Sequence, residues 1–101
     1  MFKVESEYDD LDKYNNYGDI YYYKKGTRTY HNPYGPAYIN KQGYKEYFID
    51  GKIHRLDGPA VIYPDGTGRY FINYEHLSKE NFETHPERLK FLGKEHLICI
   101  K

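Results

Sequence analysis

The chain has 101 residues, with 15 Lys and Arg balanced by 15 Asp and Glu. That length fits one domain (1–101), and the balance excludes the broad basic footprint by which proteins hold duplex nucleic acid. A single cysteine, Cys99, excludes an internal disulfide and fits a reducing compartment. No run reaches transmembrane length, and Met1-Phe2-Lys3-Val4-Glu5 lacks the apolar core of a signal peptide. The expectation is a soluble cytoplasmic protein that makes no membrane contact.

Residues 1–17 are acidic and polar, with Tyr8, Tyr14 and Tyr17 set among Glu5, Glu7, Asp9, Asp10 and Asp12. Phe2-Lys3-Val4 reads as a short edge strand and the rest as a loop, or an N-terminal arm that docks on a sheet. From Gly18 the chain becomes periodic. Gly18, Tyr22-Tyr23 and Gly26 keep the spacing of Gly43, Tyr47-Phe48 and Gly51. They form an incomplete first copy, and two extra residues fall in the connection 27–30.

Two full copies follow. Windows 31–52 and 54–75 lie 23 positions apart and share nine identities without a gap: His31/His54, Gly35-Pro36-Ala37/Gly58-Pro59-Ala60, Ile39/Ile62, Gly43/Gly66 and Tyr47-Phe48-Ile49/Tyr70-Phe71-Ile72. A fixed period of this kind marks a repeat architecture. Ala37-Tyr38-Ile39 and Ala60-Val61-Ile62 are β-rich runs. Pro64-Asp65-Gly66, and more weakly Lys41-Gln42-Gly43, supply turns. Tyr44–Ile49 and Arg69–Ile72 are the returning arms, and Asp50-Gly51 is the strongest hairpin signal in the chain. Asn73-Tyr74 stands at the matching place without its glycine, so the meander is expected to end there and the chain to leave the sheet.

Residues 76–101 read as a helical segment and tail. Ser78 caps a short helix over Lys79–Glu83, with Leu77 and Phe82 as apolar contacts. Thr84-His85-Pro86-Glu87 starts a second helix, with Thr84 as N-cap, Glu87 as its capping-box partner and Gly93 as the C′ residue. Leu97-Ile98-Cys99-Ile100 is the most apolar run, a last strand or a tail buried against the sheet or another subunit. The predicted fold is mainly β: an antiparallel meander of five to seven strands in tandem hairpin repeats (18–75), closed by one or two short C-terminal helices. So thin a sheet leaves a face or an edge poorly covered, and a homo-oligomer is the economical remedy.

Tyrosine is the unusual residue: 14 copies and no tryptophan. Tyr packs on a pleated face while its hydroxyl reaches water, so the rings serve either as the packing of a thin sheet or as a stacking platform for a flat ligand. Equivalent residues of successive copies lie side by side, so Tyr22, Tyr47 and Tyr70 are expected to form a stripe. Lys45 and Arg69 neighbour that stripe in sequence, and alternation sends them to the opposite face unless a bulge intervenes. The His54-Arg55-x-Asp57-Gly58 motif has a structural reading: Arg55 pairs with Asp57 across a turn, and His54 bonds a carbonyl of the adjacent copy. It also has a functional one, in which His54 and Arg55 bind an anion such as a phosphate. The candidate ligand-binding set is Tyr22, Tyr47, Tyr70, His54, Arg55, Arg69 and Lys45. His31 and His54 occupy equivalent places and His76 falls one short of the next, but no Cys or Glu-x-x-His companion has zinc-ligand spacing, Cys99 has no neighbouring base, and no phosphate-loop pattern occurs. Neither catalytic residues, nor a metal, nor a cofactor is expected.

The string His54-Arg55-Leu56-Asp57-Gly58-Pro59-Ala60, then Pro64-Asp65-Gly66, then Arg69-Tyr70-Phe71-Ile72-Asn73, resembles a repeat of small phage and large-virus proteins, similar to MORN-type β-hairpin repeats. Leu77-Ser78-Lys79-Glu80-Asn81-Phe82 is similar to the helix that closes such chains. The likeness covers about residues 18–84. It departs in the first full copy, His31-Asn32-Pro33-Tyr34-Gly35-Pro36-Ala37, which lacks the Arg and Asp, and Tyr-Phe replaces the usual Trp-Tyr pair. The resemblance implies a viral, non-enzymatic binding protein. By analogy it implies a counter-defence sponge for a nucleotide second messenger of bacterial immunity, a cyclic oligonucleotide or an ADP-ribose derivative. The alternative is a protein–protein interaction module that blocks or scaffolds a host protein through its aromatic β face.

Overall fold

Two-residue turns with positive φ at both positions organise the chain, as the mirror-image turns of β-hairpins require. They fall at Tyr17-Gly18, Asp50-Gly51 and Asn73-Tyr74, with φ between 47° and 97°. The computed structural model describes residues 1–94. Between the turns run β1 (Phe2–Val4), β2 (Leu11–Asn16), β3 (Asp19–Lys24), β4 (Tyr38–Ile39), β5 (Lys45–Glu46), β6 (Phe48–Ile49), β7 (Lys52–Ile53), β8 (Val61–Ile62), β9 (Gly68–Ile72) and β10 (Glu75–Leu77), followed by α1 (Lys79–Glu83) and α2 (Pro86–Phe91). Eight strands form one antiparallel sheet in the order β1-β2-β3-β4-β5-β8-β9-β10, and β6-β7 form a separate ribbon. The protein is mainly β, a meander with two short C-terminal helices, as expected. Its described strands number ten, more than the five to seven predicted, because the returning arm Tyr44–Ile49 is divided into β5 and β6, β2 completes the first copy and β10 extends the last.

The copies superpose bond for bond. Ala37 N–H donates to Glu46 O and Ala60 N–H to Arg69 O, both at 2.9 Å. Asn32 N–H donates to Phe48 O at 3.0 Å, and Arg55 N–H to Phe71 O at 3.1 Å. Tyr22 N–H to Ala37 O matches Tyr47 N–H to Ala60 O, which brings the first copy into the same scheme. Ala37 and Ala60 are fully buried. A larger side chain there would not fit beneath the Gly-Pro turn that precedes each.

Two expectations fail at the borders of the repeat. Residues 11–16 are not an arm: β2 pairs along its whole length with β3, from Leu11 opposite Lys24 to Asn16 opposite Asp19. The acidic reading was misled by Asp12, a buried carboxylate that accepts Gly26 N–H at 2.8 Å and pairs with Lys3 at 3.3 Å. Nor does the chain leave the sheet at Asn73-Tyr74. The turn forms without glycine, and β10 returns along β9, Glu75 opposite Ile72 and Leu77 opposite Tyr70.

The helices cover the end of the sheet. Ser78 Oγ accepts Asn81 N–H at 3.1 Å and caps α1 as predicted, and buried Phe82 sits 4.5 Å, ring to ring, from Tyr70. The N-cap of α2 is His85 rather than Thr84: His85 Nδ1 accepts Glu87 N–H, and Thr84 is occupied in ending α1 by bonding Glu80 O. Gly93, at φ 72°, ends α2 as the predicted C′ residue, with Lys94 N–H donating to Leu89 O at 2.7 Å. No helix among the described residues is long and apolar enough to cross a membrane. The expectations for Leu97-Ile98-Cys99-Ile100 and for Cys99 lie outside the described residues.

Candidate functional site

Each full repeat places a histidine at the entry of its Gly-Pro-Ala turn, and the two do the same thing. His31 Nδ1 accepts Asp50 N–H and His54 Nδ1 accepts Asn73 N–H, both at 2.9 Å. The contact crosses to the hairpin turn of the same copy and runs from N–H to ring, so the expected bond from His54 to a carbonyl is replaced by one it accepts. The hairpin turn has a spare backbone donor at that point, and a neutral imidazole nitrogen can take it. Burial pushes His54 below the usual histidine range, the nearby His85 adds to this, and Glu87 opposes it. His54 is therefore neutral at pH 7.

Arg55 locks the turn that His54 opens. Nε donates to Asp57 Oδ1 at 2.8 Å and Nη1 to Pro59 O at 3.1 Å. In the preceding copy Asn32, 4% exposed, does the equivalent work, donating through Nδ2 to Pro36 O at 2.9 Å and accepting Tyr34 N–H. The guanidinium also lies 4.1 Å from the centre of the Tyr47 ring, a cation–π arrangement. From α2, Arg88 donates to Leu56 O and stacks over Phe82 at 4.5 Å, so the helix grips the motif turn.

Between these two turns lies a groove of about 300 Å³. Asn32–Gly35 form one wall, His54–Asp57 the other, Tyr47 and Ile49 line it from the sheet, and Phe91 of α2 stands at its margin. It brings together three of the predicted residues: Tyr47, His54 and Arg55.

The other four stand elsewhere. Tyr22 is buried, packs against Tyr8 and gives its hydroxyl to Glu7, which Lys13 also binds. Tyr70 lies under Phe82. Strand register turns Tyr22, Tyr47 and Tyr70 to the same side of the sheet, away from Tyr21, Glu46 and Arg69, but none of the ring contacts among the described residues joins them. Each packs against a different segment: Tyr22 against Tyr8, Tyr47 under Arg55 and Tyr70 under Phe82. Lys45 does share the side of Tyr47, contrary to expectation. Tyr44, Glu46 and Phe48 all reach the opposite side, where Tyr44 meets Tyr63 and bonds Glu46, and Phe48 meets Tyr30. Alternation then turns Lys45 and Tyr47 away together. Arg69 is on the far side as expected, donating to Tyr63 Oη at 2.8 Å.

That opposite side carries the tyrosine row that actually forms. Tyr14, Tyr23, Tyr21, Tyr30, Tyr38, Phe48, Tyr44 and Tyr63 meet ring to ring at 5.0–6.4 Å, with Arg28 over Tyr14 at 4.4 Å. Several of these rings are nearly parallel, Tyr21 with Tyr23 at 7° and Tyr23 with Tyr30 at 20°. Rings stacked on one another across strands spend their faces in doing so, which leaves little flat surface for a base. Burial pushes the Tyr30 hydroxyl up to about 12, and burial together with Glu46 pushes Tyr44 higher. The sequence reading missed this row because it compared equivalent copies, whereas Tyr21/Tyr23 and Tyr44/Phe48 share a face through spacings of two and four within a copy. It also missed Tyr34, Phe91 and Arg88; only the Pro-free helical run 87–92 hinted at the last two. No protein-family model matches the chain, and neither the curated proteins nor the solved structures offer a match.

Proposed function

We propose that the chain is a non-catalytic binding protein that sequesters a small nucleotide in the groove between its two motif turns. The setting we propose is that of a phage-encoded sponge, acting as a homo-oligomer in the host cytoplasm against a nucleotide signal of bacterial immunity. The observation that carries the binding reading is the meeting of Tyr47, His54 and Arg55 in one groove with Tyr34 and Phe91. Rings supply apolar walls for a base, and a planar guanidinium suits a phosphate. Nε and Nη1 of Arg55 are already engaged, which leaves Nη2 for an anion. About 300 Å³ is the lower end of ligand-pocket volumes and suits one nucleotide unit. The remainder of a larger messenger would lie on the rim or against a second copy. The repeat's likeness to viral hairpin-repeat proteins supports the setting.

Calorimetry and thermal shift against cyclic di- and trinucleotides and ADP-ribose derivatives test the reading. Binding that weakens at least tenfold in Arg55→Lys is expected. Folded protein that shows neither heat nor a shift with any of them at high micromolar ligand overturns it.

The eight-ring row favours a second reading, a module that blocks or scaffolds a host protein through its aromatic face. Several of those rings are only half-buried, and hydroxyl-tipped tyrosines are common anchors at protein interfaces. One stoichiometric partner recovered from host lysate, and lost in Tyr38→Ser, would favour it over the first.

A further inference from the structure

The two full repeats carry the same histidine contact but differ in the residue beside it. An imidazole that accepts an N–H at Nδ1 holds no proton there; once it gains one, two donors face each other and the bond is lost. In the earlier copy a replacement partner stands ready: an Asp50 carboxylate oxygen lies 3.8 Å from His31 Nδ1, and Lys24 holds that carboxylate in place. In the later copy the residue at the place of Asp50 is Asn73. Its amide offers no charge and is turned away, donating to both oxygens of Glu87 at 2.9 and 3.0 Å.

The groups around His54 do not make up the difference. From α2, Glu87 favours a proton on the ring, but its oxygens already accept from Asn73; His85 opposes a proton, and burial opposes it most. Arg88 of the same helix donates through Nη1 to Leu56 O and, as a cation, gives a protonated ring no partner, while Arg55 and Asp57 on the ring's own turn are bonded to each other. Around His31 the charged groups are Asp50 with Lys24 and Lys52, the last two acting through Asp50.

We infer that His54 is an acid-sensitive latch: on gaining a proton it releases the Asn73-Tyr74 turn from the motif turn and loosens one wall of the groove, whereas His31 exchanges its N–H contact for an ion pair with Asp50 and holds. At this contact the two copies share one geometry and differ in the charge of one residue, Asp50 against Asn73. Whatever the groove holds would be released on mild acidification, and the latch itself stands without the nucleotide reading.

His54→Asn tests it, because the amide Oδ1 sits where Nδ1 was and accepts the same N–H without titrating. Urea unfolding is followed from pH 7 to pH 5. The unaltered chain should lose stability with falling pH, its unfolding constant rising by up to about tenfold per pH unit more than that of H54N. Equal slopes in two folded proteins overturn the latch. Asp50→Asn should add a second acid-dependent loss by stripping His31 of its ion partner; an unchanged slope overturns the Asp50 half of the argument. Should H54N fail to fold, nitrogen NMR of the unaltered chain decides. His54 protonated on Nε2 alone at pH 7, with the Asn73 amide signal moving as the ring gains its second proton, is the expected result. A proton on Nδ1 at pH 7, or an Asn73 amide signal that stays put as His54 titrates, overturns it.

Discussion

Arg55 lies over Tyr47 with its guanidinium carbon 4.1 Å from the ring centre while two of its nitrogens close the turn that follows. The stacking needs a flat cation, and the turn needs donors at fixed angles to Asp57 and Pro59. Lysine has neither. Arg55→Lys should cost about 1–2 kcal/mol, the worth of one partly exposed cation–π contact and one or two lost hydrogen bonds. A lowered urea midpoint at unchanged m-value is the measurement, and no loss would mean that the turn closes without the fork.

Tyr74 holds φ at 75° and is 73% exposed. The equivalent residue in the preceding copy is Gly51, at 78°. A side chain in the left-handed region costs about 1 kcal/mol or more, and Tyr74 recovers little of it through contacts. Tyr74→Gly should therefore raise the melting temperature by a few degrees, on the scale of about 4–8 °C per kcal/mol for a domain of this size. A fall would show that the exposed ring contributes something the turn geometry hides.

Gly68 opens β9 where Pro59 and Val61 of the facing segment press on it. A Cβ there would sit 2.6 Å from Val61 O and 2.7 Å from Pro59 Cβ. Neither a backbone carbonyl nor a proline ring can swing aside, so Gly68→Ala should cost about 1–3 kcal/mol as overpacking and disturb the β8–β9 pairing. Faster amide exchange at Arg69 and Val61 would locate the damage.

At high pH the tyrosines become a liability. Burial pushes Tyr22 and Tyr30 up to about 12, against about 10 in an unfolded chain. With the folded values raised, their contribution is whole below pH 10 and drains away as pH climbs from 10 toward 12. Phenolate absorbance at pH 11 should show fewer ionised tyrosines in the native protein than in the same chain in urea. Equal counts would mean that the rings are open to water.

How much of this was legible in the chain depends on how local the physics is. The offset of 23 positions, the turns at Asp50-Gly51 and Pro64-Asp65-Gly66, and the Ser78 cap rest on neighbouring residues, and the structure keeps each of them. The failures share a cause. Asp12 reads as a solvated acid until Gly26 and Lys3, distant in sequence, take its carboxylate. Asn73-Tyr74 reads as an exit because the glycine is missing, yet the His54 contact to Asn73 N–H and the Tyr74 N–H bond to Ile53 O hold the turn in place. For the site, the motif points to Tyr47, His54 and Arg55, which do meet, whereas only the period groups Tyr22 and Tyr70 with them.

The sequence by itself determined the repeat, its hairpin turns and the identity of its closing helix, because backbone preference and side-chain caps act within a few residues. Only the tertiary structure decided which rings stack, which segment covers each equivalent tyrosine, and that Arg88 reaches back to Leu56. Those outcomes depend on strand register and on chain segments that meet across the sheet. Copies alike in sequence can therefore have unlike neighbours, and it is the neighbours that make Tyr47 part of a groove and Tyr70 part of the core.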